Sequence, residues 1–297
     1  MEYFGIEKFL IKNYIKNALY KMDSWKKTAR NINIQNNILT AELKTRDGKF
    51  IKNKVKYTEG DMFHNINGYL HKIWIPPKIF QTHETIEKIK NNKKLSKCYE
   101  SWKKCKDFEH IFFTSSDREN FMKKNFSDIY DAYDKLIMGV MKADLWRYCV
   151  IYHYGGIYTD SDNICHESPS FMLSNYYLNI LQFKNKDHFP QHFFSAPKNS
   201  PILKKVIDKS VERIRNLKEF KGEHLVHYLT GPGVFTDAID EWLLDNYYPI
   251  TNNKIFYKSN LKLNIIPISF HDSKLTSLYS GQWEDGWTKE RDKLLLD

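Results

Sequence analysis

The chain has 297 residues, 41% hydrophobic and 15% aromatic, which suits one large domain with a sizeable core, or one domain with an appendage. The formal net charge of +10 comes mostly from lysines spread along the chain with no arginine-rich block. That pattern gives nucleic-acid binding little support and fits a lysine-coated surface, a phosphate-bearing ligand or an anionic membrane surface. No apolar run approaches the ~18 residues of a membrane span, and none of Cys98, Cys105, Cys149 and Cys165 forms a CxxC pair, so zinc spacing is absent.

Cys98 and Cys105 are expected on one side of a helix, as buried or half-buried thiols in a reducing compartment. Lysines at positions 8, 12 and 16 interrupt any signal-peptide pattern, so a cytoplasmic or membrane-peripheral protein is expected. The abundance of Lys, Asn, Ile and Tyr points to an AT-rich genome, such as that of a low-GC bacterium or a large DNA virus.

In chain order, residues 4 to 30 are predicted to form a helix, because Phe9, Leu10, Tyr14, Ala18 and Met22 recur at helical spacing among lysines. Such a basic amphipathic helix docks on its own domain or lies on a membrane. "ILTAELKT" and "KFIKNKVKY" flank Asp47-Gly48, a hairpin signal. Residues 1–70 therefore read as an N-terminal extension of helix plus hairpin, set before a main domain at 71–297.

The remainder alternates strands and helices, which argues an α/β domain. "PKIFQT" and "HIFFTSS" are predicted strands. Ser116 to Glu119 has the spacing of a capping box opening the helix "DRENFMKKNF". The clearest predicted helix spans 135 to 153, ended by Gly155-Gly156, since glycine accepts the left-handed conformation at a helix terminus. "GIYTDSD" follows as a buried strand running into polar residues, and "YYLNILQF" is another strand. Ser200-Pro201 caps and starts a helix, and Thr230-Gly231-Pro232-Gly233 is a tight loop before "VFTDAIDEWLL".

The chemistry concentrates at Asp160 and Asp162. Residues two apart on a strand point to one side, so both carboxylates are expected at a strand's carboxyl end, where open α/β sheets bind ligands. Two like charges stay ionised cheaply when a cation sits beside them. A hard divalent ion, Mn²⁺ or Mg²⁺, suits oxygen ligands and also takes phosphate oxygens. Asp144 and Arg147, three apart on the preceding helix, form either a structural ion pair or part of the ligand site.

"KADLWRYCVIYHYGGIYTDSD" resembles the signature of DXD-containing sugar transferases, the family of the yeast-type initiating α-1,6-mannosyltransferases and capsule-type enzymes, whose core is shared with large glucosylating bacterial toxins. The pattern falls on Ala143, Asp144, Arg147, Gly155, Gly156, Tyr158, Asp160 and Asp162. "IPPKIFQT", "SWKKCKDFEHIFF", "FSAPKNSPIL", "TGPGVFTDAI" and "SGQWEDGW" resemble further family segments in the same order. The chain departs from the pattern at His83, where the family has tryptophan, and at Ser277, Leu278 and Tyr279, where the family often has histidines.

The resemblance implies a GT-A fold, a Rossmann-like mixed sheet flanked by helices. It implies a metal held by Asp160 and Asp162. It also implies a UDP- or GDP-sugar donor bound by Gln81, Thr82, Asp144, Arg147, Gly156, Tyr158, Ser161 and Trp283, with transfer to a glycan or protein acceptor under retention and no enzyme nucleophile. Nucleic acid is not an expected partner; peripheral membrane contact is compatible with the charge. Two other readings use the same residues: a metal-dependent phosphohydrolase or nucleotidyltransferase, and a basic non-catalytic module binding glycan or nucleic acid.

Overall fold

The computed structural model describes residues 24–45, 47–58, 62–66, 68–73, 75–173, 176–182, 188–218, 224–246, 263–267, 275–278 and 288. The chain divides into two compact units, one of residues up to Pro76 together with Pro169–Asn175, the other of Pro77–Ser168 and the chain from Tyr176 on.

In the first unit a short helix α1 (Ser24–Lys27) precedes β1 (Ala29–Gln35), β2 (Ile38–Lys44) and β3 (Phe50–Lys56), which form an antiparallel meander in the order β1-β2-β3. The predicted hairpin is β2–β3, closed around Asp47-Gly48, with Gly48 at φ +87°. The predicted helix over 4 to 30 lies largely outside the described residues, and its end is corrected: the chain is already a strand at Ala29. Alternation in β2 buries Leu39, Ala41 and Leu43, which pack with Trp25, Phe63 and Leu70. A second hairpin, β4 (Met62–Ile66) and β5 (Tyr69–Ile73), was not expected. Buried Asn53 joins it to the meander, donating to Gly68 O at 2.7 Å and accepting from Leu70 N at 2.8 Å. One amide thus satisfies two backbone groups that no ladder reaches.

The second unit opens with β6 (Lys78–Thr82), α2 (Ile86–Asn91), α3 (Lys93–Lys103), β7 (Glu109–Phe113), α4 (Ser115–Asn125), α5 (Tyr130–Asp134) and α6 (Gly139–Tyr154). It continues with β8 (Gly156–Thr159), β9 (Asn163–Cys165), β10 (Leu178–Gln182), β11 (Phe193–Ala196), α7 (Pro201–Asn216), α8 (Leu225–Leu229), α9 (Pro232–Asn246), β12 (Leu263–Pro267) and β13 (Leu275–Ser277). Its central sheet runs β12-β10-β11-β8-β6-β7. β7, β6 and β8 are mutually parallel, and β11 is antiparallel to β8 and β10. This is the expected mixed sheet flanked by helices. β9 and β13 form a separate two-stranded ribbon.

Two boundaries differ from the sequence expectation. The long helix begins at Gly139 rather than 135, because Tyr130–Asp134 forms its own short helix. The capping box is made by Thr114 and Asp117, not by Ser116 and Glu119: the Thr114 hydroxyl accepts from Asp117 N at 3.2 Å, and Asp117 Oδ2 accepts from Thr114 N at 2.9 Å. Threonine and aspartate satisfy the same two orphan donors as the more common residue pair. The Ser200 cap is as expected, its Oγ accepting from Leu203 N.

α6 is buried around most of its circumference, from Met141 to Ile151. A helix with so little polar face belongs inside a core. Leu145, Trp146, Tyr148, Cys149, Val150 and Ile151 join Tyr158, Phe194, Ile202, Val206 and Phe235 in the main cluster. Gly155, at φ +70°, ends the helix. Gly156 has φ +124°, and a Cβ there would stand 2.8 Å from Lys78 O. Glycine is therefore needed twice over where β8 enters the sheet beside β6.

Candidate active site

The parallel strands β6, β7 and β8 end at Thr82, Phe113 and Thr159, and Thr82, Asp160, Ser161 and Asp162 stand at that carboxyl edge, whereas Gly156 lies at the amino end of β8 beside Lys78. β8 stops at Thr159, so Asp160 and Asp162 stand in a tight turn, with Asn163 N donating to Asp160 O at 3.2 Å, rather than on one side of a continuing strand. The turn is braced from several elements. Asp160 N donates to His192 O at 2.9 Å. The Gln81 amide donates to Asp160 O at 3.1 Å, and Trp102 Nε1 to Asn163 O at 2.8 Å. The Asn163 amide donates to Thr159 Oγ1 and to His192 O, each at 3.0 Å.

The Asp160 carboxylate is oriented by one oxygen. Oδ1 accepts from the Tyr158 hydroxyl at 2.5 Å and lies 3.3 Å from Arg147 Nη2. Oδ2 has no partner among the described residues, and the side chain is 30% exposed. Arg147 is nearly buried and pairs with Asp144 Oδ1 at 2.6 Å. Its Nη1 donates to Gln191 O at 3.3 Å, and its guanidinium lies 4.6 Å from the Tyr158 ring centre. Asp144 also accepts from Thr230 Oγ1 at 3.3 Å, so both its oxygens are engaged. Burial pushes the Asp144 carboxyl up to about 7, against the pull of Arg147. Burial works against the Arg147 charge, but Asp144 and Asp160 together outweigh it and hold the guanidinium further in its charged form. Burial raises the Tyr158 hydroxyl well above its ordinary value, so it is a donor to Asp160.

Asp162 is buried, its backbone carbonyl accepts from Leu278 N at 3.0 Å, and its charge acts on His83 and Cys98. Asp160 and Asp162 supply hard oxygen ligands at an edge where a diphosphate could complete the shell, so they fit a divalent ion. Among the described residues no group of three or more His, Cys, Asp or Glu side chains forms a ready-made metal cage.

The other expected donor-binding residues are placed as follows. Gln81 is fully buried and both ends of its amide are used, Oε1 by His110 Nε2 at 2.8 Å. The Thr82 hydroxyl donates to Phe113 O and accepts from Arg118 Nη1. Gly156 packs on β6, and Ser161 sits half-buried in the turn between the two aspartates. Trp283 lies outside the described residues.

Sequence reasoning missed His110, Trp102, Asn163, Gln191 and Arg118, which come from separate elements and carry no common spacing. Thr230 was visible through its Thr-Gly-Pro loop. For the cysteines, Cys98 is in α3 and buried, but Cys105 lies beyond that helix, with its Sγ 3.5 Å from Cys165 Sγ. The expectation of one shared helix face is corrected on that point.

Part of the chain is similar to known glycosyltransferases. Residues 92–182 match the family described as "Glycosyltransferase sugar-binding region containing DXD motif". A glycosyltransferase of Acanthamoeba polyphaga mimivirus is 26% identical over 190 residues, 61% of this chain and 67% of that protein. The initiation-specific alpha-1,6-mannosyltransferase of Candida albicans is 24% identical over 205 residues, 57% of this chain and 53% of that protein, so the chain spans about half the length of this fungal relative. The solved structure of the PaToxG glycosyltransferase aligns with 56% of this chain and 68% of that chain, at 21% identity and a TM-score of 0.43. The matched region contains α6, β8 and both aspartates of the turn, so the similarity to the DXD-containing glycosyltransferases falls on the part of the chain that builds this carboxyl edge.

Proposed function

We propose that the protein is a metal-dependent glycosyltransferase that moves a sugar from a UDP- or GDP-sugar to a glycan or protein acceptor, with retention of anomeric configuration. The observation that carries this reading is the state of Asp160: one oxygen is fixed by Arg147 and Tyr158, and the other is open at the carboxyl edge of a central strand. A carboxylate oriented that way is prepared for a cation, and a structural aspartate has no need of an open oxygen.

Asp160 and Asp162 would hold Mn²⁺ or Mg²⁺, which supplies Lewis-acid neutralisation of the diphosphate leaving group. The chain's own residues do the rest. Arg147 and Tyr158 together set the rotamer of Asp160 through its Oδ1. Asp144 and Gln191 hold the guanidinium in place. Gln81 pins the Asp160 carbonyl, and His110 pins Gln81 in turn. Trp283 would close over the diphosphate as an indole N–H donor. Ser161 and the backbone at Thr82 would border the nucleotide, while Gly156 serves the packing of β8 on β6.

A phosphohydrolase or nucleotidyltransferase would use the same carboxylates, but the match over residues 92–182 is to a sugar-binding region. Thermal melting against UDP- and GDP-sugars, with and without Mn²⁺, tests the proposal, because a ligand that binds only the native state raises the melting temperature. A metal-dependent rise with one donor, lost in Asp162→Ala, is the expected result. A folded protein that responds to none of them, in either metal condition, overturns it.

A further inference from the structure

The register of the N-terminal meander settles which side chains share its solvent face. Arg30 stands opposite Glu42, and Glu42 opposite Lys52. Thr40 stands opposite Lys54, Ile38 opposite Lys56, and Lys44 opposite Phe50. Partners across strands project to the same side. The other side carries Leu39, Ala41, Leu43 and Asn53, all buried. One face therefore collects five basic side chains, Arg30, Lys44, Lys52, Lys54 and Lys56, all exposed, against the single carboxylate of Glu42. Arg30 already pairs with Glu42, at 2.7 Å. Among the described residues Lys44, Lys54 and Lys56 make no ion pair.

Alternate residues on a strand are about 7 Å apart, inside the Debye length of about 8 Å at physiological salt. The three β3 lysines therefore repel one another, and on the face only Glu42, opposite Lys52 and already paired with Arg30, offsets them. Such a row favours an external polyanion. The face is the open side of a three-stranded antiparallel sheet. Its aromatic, Phe50, is 37% exposed and lies under the Arg30 guanidinium at 4.0 Å. A lone aromatic is no base-stacking platform of the kind that single-stranded nucleic acid uses. Point charges spread over an open sheet face, with an apolar ring among them, complement a surface of phosphates.

We propose that this face docks the protein on an anionic phospholipid surface. The proposal does not depend on the transferase reading, since none of these residues belongs to the candidate active site.

Sedimentation of the full chain with vesicles tests it. Phosphatidylcholine vesicles are compared with vesicles containing about 30% phosphatidylserine, an anionic-leaflet lipid, at low and high salt. The expected result is binding to the anionic vesicles alone, weakening as salt rises. Lys52→Glu/Lys54→Glu/Lys56→Glu should lower partitioning roughly a hundredfold, with circular dichroism and the donor-dependent melting shift unchanged. Lys52→Gln/Lys54→Gln/Lys56→Gln is the second variant, should charge reversal prevent folding; it should lose most of the binding too. Absence of anionic-vesicle binding by the native chain overturns the proposal. So does vesicle binding that neither variant alters, or binding of an RNA oligonucleotide tighter than of the vesicles at the same salt.

Discussion

Arg147 reaches from helix α6 to the DXD turn, its Nη2 3.3 Å from Asp160 Oδ1 while the same nitrogen holds Asp144 at 2.6 Å. The guanidinium thus spans a buried carboxylate and a half-exposed one. Removing it by Arg147→Met strands the Asp144 charge, at a cost of about 3–5 kcal/mol. Asp144→Asn/Arg147→Met should recover part of that loss in urea denaturation, because it removes the stranded charge as well. It should not recover the Mn²⁺-dependent donor shift, because Asp160 still lacks its cation. A double variant that regains donor binding would show that Arg147 has only a structural part.

Tyr158 can be tested separately from the ring it carries. Tyr158→Phe keeps the contacts with Trp146 and Phe194 and deletes one hydrogen bond to a carboxylate. A bond of that class is worth about 1.5–3 kcal/mol. Donor affinity measured by calorimetry with Mn²⁺ should fall by at least about tenfold, with little change in the far-ultraviolet spectrum. An unchanged affinity would mean that the hydroxyl does not set the geometry of Asp160.

Burial holds the His110 imidazole down at about 4, from 6.5. Because the folded value is the lower one, the stability it represents is complete above pH 6.5 and is lost as the pH falls through about 4. The loss amounts to at most about 3 kcal/mol. Chemical denaturation at steps between pH 7 and 4 should therefore show the native chain weakening more steeply than His110→Gln. Equal slopes would assign the acid sensitivity to another group.

The cap of α4 distinguishes two threonine and serine positions that sequence spacing confuses. Thr114→Ala should cost about 1 kcal/mol, and Ser116→Ala, which leaves the Thr114–Asp117 box intact, should change stability by less than about 0.5 kcal/mol. The reverse order in thermal melting would restore the cap that the spacing at Ser116 suggested.

Gly156→Ala puts a methyl 2.8 Å from Lys78 O at φ +124°. It should cost about 2 kcal/mol or more, read as a lower urea midpoint with an unchanged slope. A neutral substitution would mean that the β6–β8 pairing has more room than these distances allow.

Much of this molecule is readable along the chain. The β2–β3 hairpin follows from Asp47-Gly48 between alternating strands. The Ser200-Pro201 start, the Gly155 stop and the apolar run of α6 are all local. So is the pair Asp160 and Asp162 in its glycine and tyrosine context, which carries the resemblance to DXD-containing sugar transferases. Each of these rests on dihedral preference or on periodicity within a dozen residues.

What the tertiary structure alone decided is how the pair is held. Asp160 owes one oxygen to Arg147 on α6 and its carbonyl to Gln81 on β6. Asn163 is held by Trp102 on α3, and Asp144 by Thr230 at the end of α8. Those partners lie 13 to 86 residues away in sequence. The strand stops at Thr159, where the paired backbone ends, so alternation no longer governs Asp162. Likewise Pro169–Asn175 belongs with the first unit, though nothing in its own residues says so. A buried polar group must find a partner wherever the chain's packing brings one, and that choice is made by the closed fold and not by any local pattern.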